Sequence, residues 1–402
     1  MKGEPAVSGL SVVFTGGGTG GHLYPALALA TRLRELDADS RILFIGTARL
    51  EATKVPAAGF PLKIIAVRGL TGPWSFSALL RKLHSALLLA LGIPLWQAMF
   101  ALWRFKPDVV VGTGGYVCGP VTLAARLMGI PSLSVEQNIR PGLTTRILAR
   151  LVDVAALVTE ESLSLYPLPK ARFARHGKPK LVVTGNPVRS EILSARRGEG
   201  LAAFGLGAER RTLLIYGGSL GSPIINRVSL QALEMLADEY WFRSGIQVLH
   251  VTGKPSSPAG APPEQTELGE IARRARLRYQ AHPYLDNLPL ALAAADLAIC
   301  RGGGTTIAEL SARGLPAIIV PWPGAANNEQ YFNSKPLAQA GGAILMREDE
   351  LTPGRLAAAL KDLLRNPARL EKMSEASRSL GRPKATDEII ALVRKLASGR
   401  QG

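Results

Sequence analysis

The segment VVFTGGGTGGHLYPALALA, residues 12–30, decides the fold of this chain. Its first part, VVFT, is typical of a short buried strand, and the alanine- and leucine-rich run after His22 is typical of a helix. Between them stand five glycines within six residues, which permit positive φ angles and let a ligand approach backbone N–H groups. Strand, glycine turn and helix together predict a unit of a parallel sheet that either binds a phosphate or lets another chain segment approach closely, with the helix dipole directed at the turn.

The same order of strand, glycine turn and helix opens the second half of the chain, in LLIYGGSLGS at 213–222. Elsewhere, short apolar runs alternate with longer helical patterns, which indicates parallel sheets. The predicted strands are 10–15, 41–46, 62–67, 108–112, 132–136 and 154–158 in the first half, and 212–216, 246–251, 297–300 and 316–320 in the second. The sequence therefore predicts an α/β protein of two Rossmann-like, doubly wound domains that face each other across a cleft.

The limits of the domains follow from the same pattern. The stretch at 185–200 is rich in turn residues and charges, and it separates the two series of strands. We therefore expect an N-terminal domain at 1–188, a C-terminal domain at 189–375, and a terminal helix within 376–402 that packs back towards the N-terminal domain.

Charge favours an anionic partner for the first half. The formal net charge of the chain is +17, and residues 1–190 carry 22 lysines and arginines against 10 aspartates and glutamates. Zinc-finger spacing, runs of basic residues and basic strands interleaved with aromatics are absent from the sequence, so no nucleic acid is expected. Anionic lipid and a phosphorylated substrate are the partners that fit.

Cysteine usage and the first residues of the chain indicate a cytosolic protein. Cys118 and Cys300 lie 182 positions apart, without metal-ligand spacing around either, and are expected to be reduced core thiols. The residues before the glycines form no apolar run of signal-peptide length, so export is not expected.

Residues 16–21 also match the dinucleotide-binding fingerprint, with Gly16, Gly18 and Gly21 at the required spacing. That fingerprint expects an acidic residue at the end of the second strand, where it binds the ribose hydroxyls. Gly46 and Thr47 stand there instead. A nicotinamide or flavin oxidoreductase is therefore disfavoured, and no cofactor is expected.

His22 is the candidate general base. It follows a glycine loop at the carboxyl end of the first strand, where open α/β sheets bind their ligands. An imidazole at that position can accept a proton from a substrate hydroxyl near neutral pH. The alternative is a capping or packing histidine.

Three loops of the second half carry hydrogen-bonding groups suited to a sugar nucleotide. Ser219 adds a hydroxyl to the amides of its glycine loop, which suits a diphosphate. Glu309 follows the third glycine turn at 301–306 and can accept hydrogen bonds from a ribose diol, or it can simply favour the helix N-terminus. The loop PWPGAANNEQ at 321–330 can read sugar hydroxyls, or it is a solvated turn.

The sequence offers no carboxylate pair at the end of a strand that would hold a metal ion on a diphosphate. Its one Asp-x-Asp motif, formed by Asp37 and Asp39, follows the first helix and is expected to be a solvated turn. We therefore expect no metal site, with helix dipoles and amide donors stabilising the leaving diphosphate.

In this order the motifs resemble the GT-B glycosyltransferases, and most specifically the MurG-type transferases of glycosyltransferase family 28. The resemblance covers nearly the whole chain. The chain departs from the family pattern at Val135, Leu220 and Glu329. The segments that carry the resemblance are GGGTGGHLYPALALA, KPDVVVGTGGYVCGPVTLAARLMGIP (106–131), VEQN (135–138), GNPVR (185–189), GGSLGS (217–222) and CRGGGTTIAEL (300–310).

The resemblance implies an inverting, metal-independent hexosyltransferase of peptidoglycan and cell wall synthesis. Such an enzyme moves N-acetylglucosamine from UDP-GlcNAc to the C4 hydroxyl of the MurNAc unit of lipid I, a lipid-linked MurNAc-pentapeptide, and forms lipid II. Three alternatives stay open: a transferase that makes another glycolipid, a UDP-sugar epimerase, and a non-catalytic UDP-sugar-binding protein.

The resemblance also assigns roles to residues, with His22 as the general base. The implied donor-binding residues are Thr19, Gly20, Gly21, Asn138, Arg189, Gly218, Ser219, Leu285, Thr305, Glu309, Glu329 and Gln330. The implied acceptor-binding residues are Gly17, Gly18, Gly114, Gly115 and Tyr116.

Residues 85–103, SALLLALGIPLWQAMFALW, run for 19 positions without a charge, which is long enough for a membrane span. A span would separate strands that belong to one sheet, and Gly92 and Pro94 interrupt the run. We instead predict two helical pieces with an exposed apolar face beside basic residues. They would bind an anionic membrane surface and make the protein peripheral on the cytoplasmic face of the cell membrane. A buried helical segment is the alternative.

Overall fold

The computed structural model describes residues 9–67, 92–166, 180–218, 221–253 and 277–399. The chain divides into two compact units, of which the first comprises Met1–Arg189 together with Lys384–Gly402, and the second Ser190–Pro383. The chain thus returns to the first unit after Pro383, later than the limit at 375 expected from the sequence. Residue 375 lies inside a helix, Pro367–Ser379, and a helix interior does not divide two units.

In the described part of the first unit, helices cover both faces of a seven-stranded sheet. Its strands are β1 (Ser11–Thr15), β2 (Arg41–Gly46), β3 (Leu62–Ile64), β4 (Val109–Gly112), β5 (Ser132–Val135), β6 (Val154–Leu157) and β7 (Lys180–Val183). Its helices are α1 (Gly20–Leu36), α2 (Leu50–Ala57), α3 (Ile93–Phe105), α4 (Cys118–Leu127), α5 (Leu143–Leu148), α6 (Glu160–Leu165) and, after the second unit, α16 (Ala385–Ser398). The strand order is β3-β2-β1-β4-β5-β6-β7, and every pairing is parallel.

Alternation along β1 explains why both faces of this sheet are covered. Val12 and Phe14 are buried with residues of α1 and α16 on one face, and Val13 is buried with residues of α3 and α4 on the other. Successive side chains of a strand point to opposite faces, so an uninterrupted apolar strand requires helices on each side.

The pairing of β1 with β4 brings the two glycine loops of the first unit together. Thr15 pairs with Gly112, which places the carboxyl ends of the two strands side by side. The loops that begin at Gly16 and at Thr113 therefore leave the sheet at the same edge.

The second unit repeats this architecture, with six strands among its described residues. Its strands are β8 (Arg211–Tyr216), β9 (Ile246–Val251), β10 (Arg278–His282), β11 (Leu297–Cys300), β12 (Ala317–Ile319) and β13 (Ala343–Leu345). Its helices are α7 (Ser190–Ser194), α8 (Arg197–Ala203), α9 (Pro223–Leu236), α10 (Tyr240–Gly245), α11 (Leu288–Ala294), α12 (Gly304–Arg313), a short 3-10 turn (Ala326–Asn328), α13 (Glu329–Gln339), α14 (Pro353–Leu364) and α15 (Pro367–Ser379). The parallel order is β10-β9-β8-β11-β12-β13.

The predicted fold class is confirmed: two doubly wound α/β units, each with a parallel sheet. Three strands that the sequence prediction did not contain, β7, β10 and β13, complete the sheets. The strands predicted at 62–67 and 316–320 are shorter, at Leu62–Ile64 and Ala317–Ile319.

Candidate active site

The two glycine loops of the first unit contact each other at the carboxyl edge of its sheet. The N–H of Gly17 donates to the carbonyl oxygen of Gly114 at 3.3 Å. Gly115 has a φ of +86°, and a Cβ atom there would stand 2.2 Å from the carbonyl oxygen of Gly17. Gly114 has a φ of +103°, and its Cβ would stand 2.5 Å from Nδ1 of His22. Backbone conformation and space therefore both require glycine at Gly114 and Gly115.

His22 lies in the first turn of α1 and is half-buried. Its Nδ1 lies 3.1 Å from the backbone oxygen of Thr113 and 3.1 Å from Oε1 of Gln137. The hydroxyl of Thr113 donates to the backbone oxygen of His22 at 2.7 Å. Because two acceptors face Nδ1, we assign the proton of the neutral ring to Nδ1 and the lone pair to Nε2.

The segment after β5 supports this ring and holds Asn138. Glu136, Gln137 and Asn138 are all buried. The side-chain amide of Gln137 donates to the backbone oxygen of Val135 at 2.8 Å, which turns Oε1 of Gln137 towards His22. Oε1 of Glu136 accepts from the backbone N–H of Asn138 at 3.0 Å and from its side-chain amide at 3.3 Å.

The carboxylate of Glu51, on α2, holds the first glycine loop in place. The residue is 1% exposed, and its Oε1 accepts from the N–H of Gly18 and from the hydroxyl of Thr47, both at 3.0 Å. The N–H groups of Gly17 and Gly18 therefore donate within the protein, to Gly114 and to Glu51. Their partners lie far away in the sequence, so the motif alone does not identify them.

Thr19, Gly20 and Gly21 form the beginning of α1. The carbonyl oxygen of Thr19 accepts from the N–H groups of His22 and Leu23, at 3.3 and 3.2 Å, as the helix starts. The N–H groups of Gly20 and Gly21 come before the first hydrogen bond of the helix, so α1 itself offers them no carbonyl acceptor. They lie at the positive end of the helix dipole, beside His22.

Two further candidate residues of the first unit lie near its loops. Tyr116 follows Gly115 and is 43% exposed. The guanidinium of Arg189 lies 5.0 Å from the ring centroid of Tyr24. Tyr24 follows His22 by two positions on α1. Arg189 is thus packed on α1 by a cation–π contact.

In the second unit, the glycine loop after β8 begins with Gly217 and Gly218. Gly218 has a φ of +92°, and its carbonyl oxygen accepts from the N–H of Gly221 at 3.0 Å. A Cβ atom at Gly217 would stand 2.4 Å from the backbone nitrogen of Ser222, so the turn is tight. Ser219, predicted to bind the diphosphate, lies outside the described residues, as does Leu220.

Arg301 ties this loop to the neighbouring strands. One Nη donates to the hydroxyl of Ser222, the N-cap of α9, at 2.8 Å. The other donates to Glu348 at 2.6 Å and to the backbone oxygen of Val320 at 3.1 Å. Arg301 opens the motif RGGGTT, but this role was not predictable from the sequence, because its partners lie on distant segments.

Thr305 and Glu309 lie on α12, which begins directly after β11. Thr305 stands in the first turn and is half-buried, and Glu309 is 8% exposed. Leu285 is half-buried in the loop between β10 and α11. These residues follow β10 and β11, so they lie at the carboxyl edge of the second sheet.

Glu329 and Gln330 open α13, after a turn in which Asn327 and Asn328 have φ angles of 51° and 55°. Oε1 of Gln330 accepts from the N–H of Gly302 at 3.2 Å and from that of Trp322 at 3.0 Å. The side chain of Gln330 therefore joins two loops, and its amide NH₂ is the group with which it can read a sugar.

Cys118 and Cys300 are buried and free, and burial raises the pKa of each thiol to about 12. Within the described ranges, no cluster of three or more His, Cys, Asp or Glu side chains could hold a metal ion.

Helix α3 presents an aromatic face to solvent. Trp96, Phe100 and Trp103 are 68%, 53% and 63% exposed, and the spacing of four and three residues puts them on one side of the helix. Ala98 and Leu102 on the other side are buried. The alternative of a fully buried segment is therefore wrong for this part, whereas residues 85–91 lie outside the described residues. Among the helices that the structure describes, none is long and apolar enough to cross a membrane.

Comparisons with known proteins identify the family. The N-terminal domain model of glycosyltransferase family 28 matches residues 12–157, and the C-terminal domain model of that family matches residues 212–389. The crystal structure of Acinetobacter baumannii MurG is similar, with a TM-score of 0.67 and 28% identity over 96% of this chain and 99% of that one. The predicted GT-B architecture is thus confirmed.

Two curated relatives are named UDP-N-acetylglucosamine--N-acetylmuramyl-(pentapeptide) pyrophosphoryl-undecaprenol N-acetylglucosamine transferase. The protein from Moorella thermoacetica is 42% identical, over 96% of this chain and 99% of its own length. The protein from Desulforamulus reducens is 38% identical, over 98% of this chain and all of its own length. This chain therefore belongs to glycosyltransferase family 28 and, within it, to the MurG-type transferases.

Proposed function

We propose that this protein transfers N-acetylglucosamine from UDP-GlcNAc to the C4 hydroxyl of the MurNAc unit of lipid I, with inversion and without a metal ion, to form lipid II. The observation that carries the proposal is the orientation of His22, whose Nδ1 lies 3.1 Å from two oxygen acceptors. Two acceptors at Nδ1 favour the tautomer that leaves the lone pair on Nε2. The relationship to MurG-type transferases over nearly the whole chain supports the choice of substrates.

In this proposal the first unit binds the acceptor and supplies the base. His22 Nε2 removes the proton from the acceptor hydroxyl as that oxygen attacks the anomeric carbon. Gly17 and Gly18 of the first glycine loop remain proposed acceptor contacts. Gly20 and Gly21 remain proposed donor contacts, because their N–H groups lie at the positive end of α1, where a phosphate is stabilised. Gly114 and Gly115 keep the loop close to the ring, and Tyr116 is exposed beside them.

The second unit binds the donor in this proposal. Gly218, Ser219 and the start of α9 stabilise the diphosphate as it leaves, since the helix dipole opposes the developing charge. Glu309 accepts from the ribose hydroxyls, and Leu285 presents its backbone to the uracil.

Sugar recognition falls to the remaining candidates. The NH₂ group of Gln330, together with Glu329 and Thr305, contacts the N-acetylglucosamine. Thr19, Asn138 and Arg189 of the first unit remain proposed donor contacts, with Asn138 held in place by Glu136.

We further propose that α3 docks the protein on the cytoplasmic face of the membrane. Its three exposed aromatic side chains enter the interface between headgroups and acyl chains, and the exposed Arg104 and Lys106 contact anionic headgroups. A lipid-linked acceptor makes such docking useful, because the substrate does not leave the membrane.

The test is incubation with UDP-GlcNAc and a short-chain lipid I analogue in the presence of EDTA, with UDP release and lipid product both measured. We expect a disaccharide-lipid product in wild type and a loss of at least about 100-fold in His22→Ala, the scale of a lost general base. Tight UDP binding without product would favour another acceptor or a non-catalytic role. Unchanged turnover in His22→Ala would refute the assignment of the base.

A further inference from the structure

Gln137, in the segment that follows β5, contacts His22 on α1 and is itself firmly held. The residue is 3% exposed, and its side-chain amide donates to the backbone oxygen of Val135 at 2.8 Å. Its own backbone oxygen accepts from the side chain of Asn186 at 2.9 Å. Because the NH₂ group of Gln137 is bound to a carbonyl oxygen, the atom that faces His22 Nδ1 at 3.1 Å must be the acceptor Oε1.

The partners of His22 Nδ1 are uncharged. The backbone oxygen of Thr113 and the amide oxygen of Gln137 both accept a hydrogen bond but carry no formal charge. The carboxylates nearby are bonded elsewhere: Glu136 to Asn138 and to the N–H of Gly142, and Glu51 to the first glycine loop. A carboxylate bonded to the imidazole would favour the imidazolium, whereas an amide orients the ring without that bias.

We propose that Gln137 is the positioning residue of this site, which fixes His22 as the Nδ1–H tautomer and keeps it able to accept a proton at Nε2. The inference rests on the proposed role of His22 as the general base. The tautomer itself can be measured without substrate, which separates the two proposals.

The first experiment is nuclear magnetic resonance of the full chain with ¹⁵N-labelled histidine, with the His22 signals identified by their loss in His22→Gln. We expect a protonated Nδ1 and a non-protonated Nε2 in the neutral ring. A wild-type ring protonated at Nε2 would overturn the inference even if the enzyme were fully active. The expected spectrum in a protein without turnover would leave the inference standing and reject the proposed function.

The second experiment compares two substitutions at Gln137. In Gln137→Met the acceptor is removed, and we expect kcat to fall about tenfold, the scale of one lost hydrogen bond, with KM within about twofold and a weaker Nδ1–H preference. In Gln137→Glu the acceptor is kept but charged, and we expect the acid limb of the pH–rate profile to move about one unit to higher pH.

Gln247 provides the matched control. It is fully buried, and its side chain bonds to Gly207 and Thr212 in the second unit. Gln247→Met loses similar hydrogen bonds and stability, but we expect neither the His22 spectrum nor the pH–rate profile to change. An unchanged kcat and an unchanged His22 spectrum in Gln137→Met would overturn the inference.

Discussion

The backbones of Gly17 and Gly115 pack so closely that a Cβ atom at Gly115 would stand 2.2 Å from the carbonyl oxygen of Gly17. This contact fixes the distance between the two loops that flank His22. The two loops are close because β1 pairs in parallel with β4, and they can approach this far because Gly115 has no side chain.

Replacing Gly115 by alanine should separate the loops. The position combines a φ of +86° with the steric conflict, so we expect a loss of about 2–4 kcal/mol in unfolding free energy, or a displaced loop with kcat reduced at least about tenfold. Gly119 is the control, because it lies in α4 with nothing within 4 Å of its Cβ position. Gly119→Ala should be neutral or stabilising, and equal effects of the two substitutions would contradict this account.

Removal of the Glu51 side chain should loosen the first glycine loop. Glu51→Ala leaves the N–H of Gly18 and the hydroxyl of Thr47 without their acceptor, and we expect it to cost about 2–3 kcal/mol. Glu51→Gln keeps a carbonyl oxygen and should cost less than half as much. Urea unfolding measures both, with the exposed Glu375→Ala as a control close to zero. A Gln variant as unstable as the Ala variant would show that the charge, and not the acceptor, matters.

Stability should fall in mild acid because of His250. This residue is fully buried between the hydroxyl of Tyr279 and the amide oxygen of Asn226, and burial lowers its pKa from 6.5 to about 3. The unfolded chain binds the proton below pH 6.5 while the folded protein does not, so stability is lost as the pH falls from 6.5 towards 3. We expect His250 to remove about 2 kcal/mol between pH 6.5 and 5.0, measured by urea unfolding.

The control for this prediction is His282, which is only partly buried. Burial also lowers the pKa of His282. His250→Gln should flatten the dependence of stability on pH more than His282→Gln does. An equal slope in wild type and in His250→Gln would contradict the assignment.

The aromatic face of α3 should control membrane binding. Replacing Trp96, Phe100 and Trp103 together by serine should reduce binding to phosphatidylglycerol vesicles at least about 100-fold, since each aromatic contributes roughly 1–2 kcal/mol at an interface. Vesicle co-sedimentation measures this, and turnover of a water-soluble acceptor analogue should be unaffected. Tyr240→Ser, at a residue 77% exposed in the second unit, is the control. Undiminished binding of the triple variant would exclude this face.

The sequence predicted the central strands of both sheets and the edge strand β3, and it missed β7, β10 and β13, which are also edge strands. A central strand is buried on both sides and reads as an apolar run, as VVVG does in β4. An edge strand is partly exposed: β10 reads RYQAH, and β7 begins with an exposed lysine. Such segments do not stand out by hydrophobicity, and their strand pairing depends on the neighbour already in place.

The site residues that belong to a sequence motif were predictable, whereas those that reach the site from a distant segment were not. His22 and the glycine loops stand in recognisable patterns. Gln137 contacts His22 across 115 positions, and Glu51 contacts Gly18 across 33, so their roles appear only when the sheet aligns the strand ends. One signal was available for Gln137, namely its place directly after a predicted strand that ends at the same edge as β1.

Helix α16 has a consequence for how the protein is made. It packs against α1, where Ile389, Ile390 and Val393 join the core and Asp387 bonds Arg32 at 2.7 Å. The ribosome synthesises α16 only after the entire second unit. The second unit can therefore fold while the chain is still growing, whereas the first, begun earlier, keeps an uncovered apolar face until translation has passed residue 398. The half that starts first is finished last, and during synthesis it is the half that needs protection from aggregation.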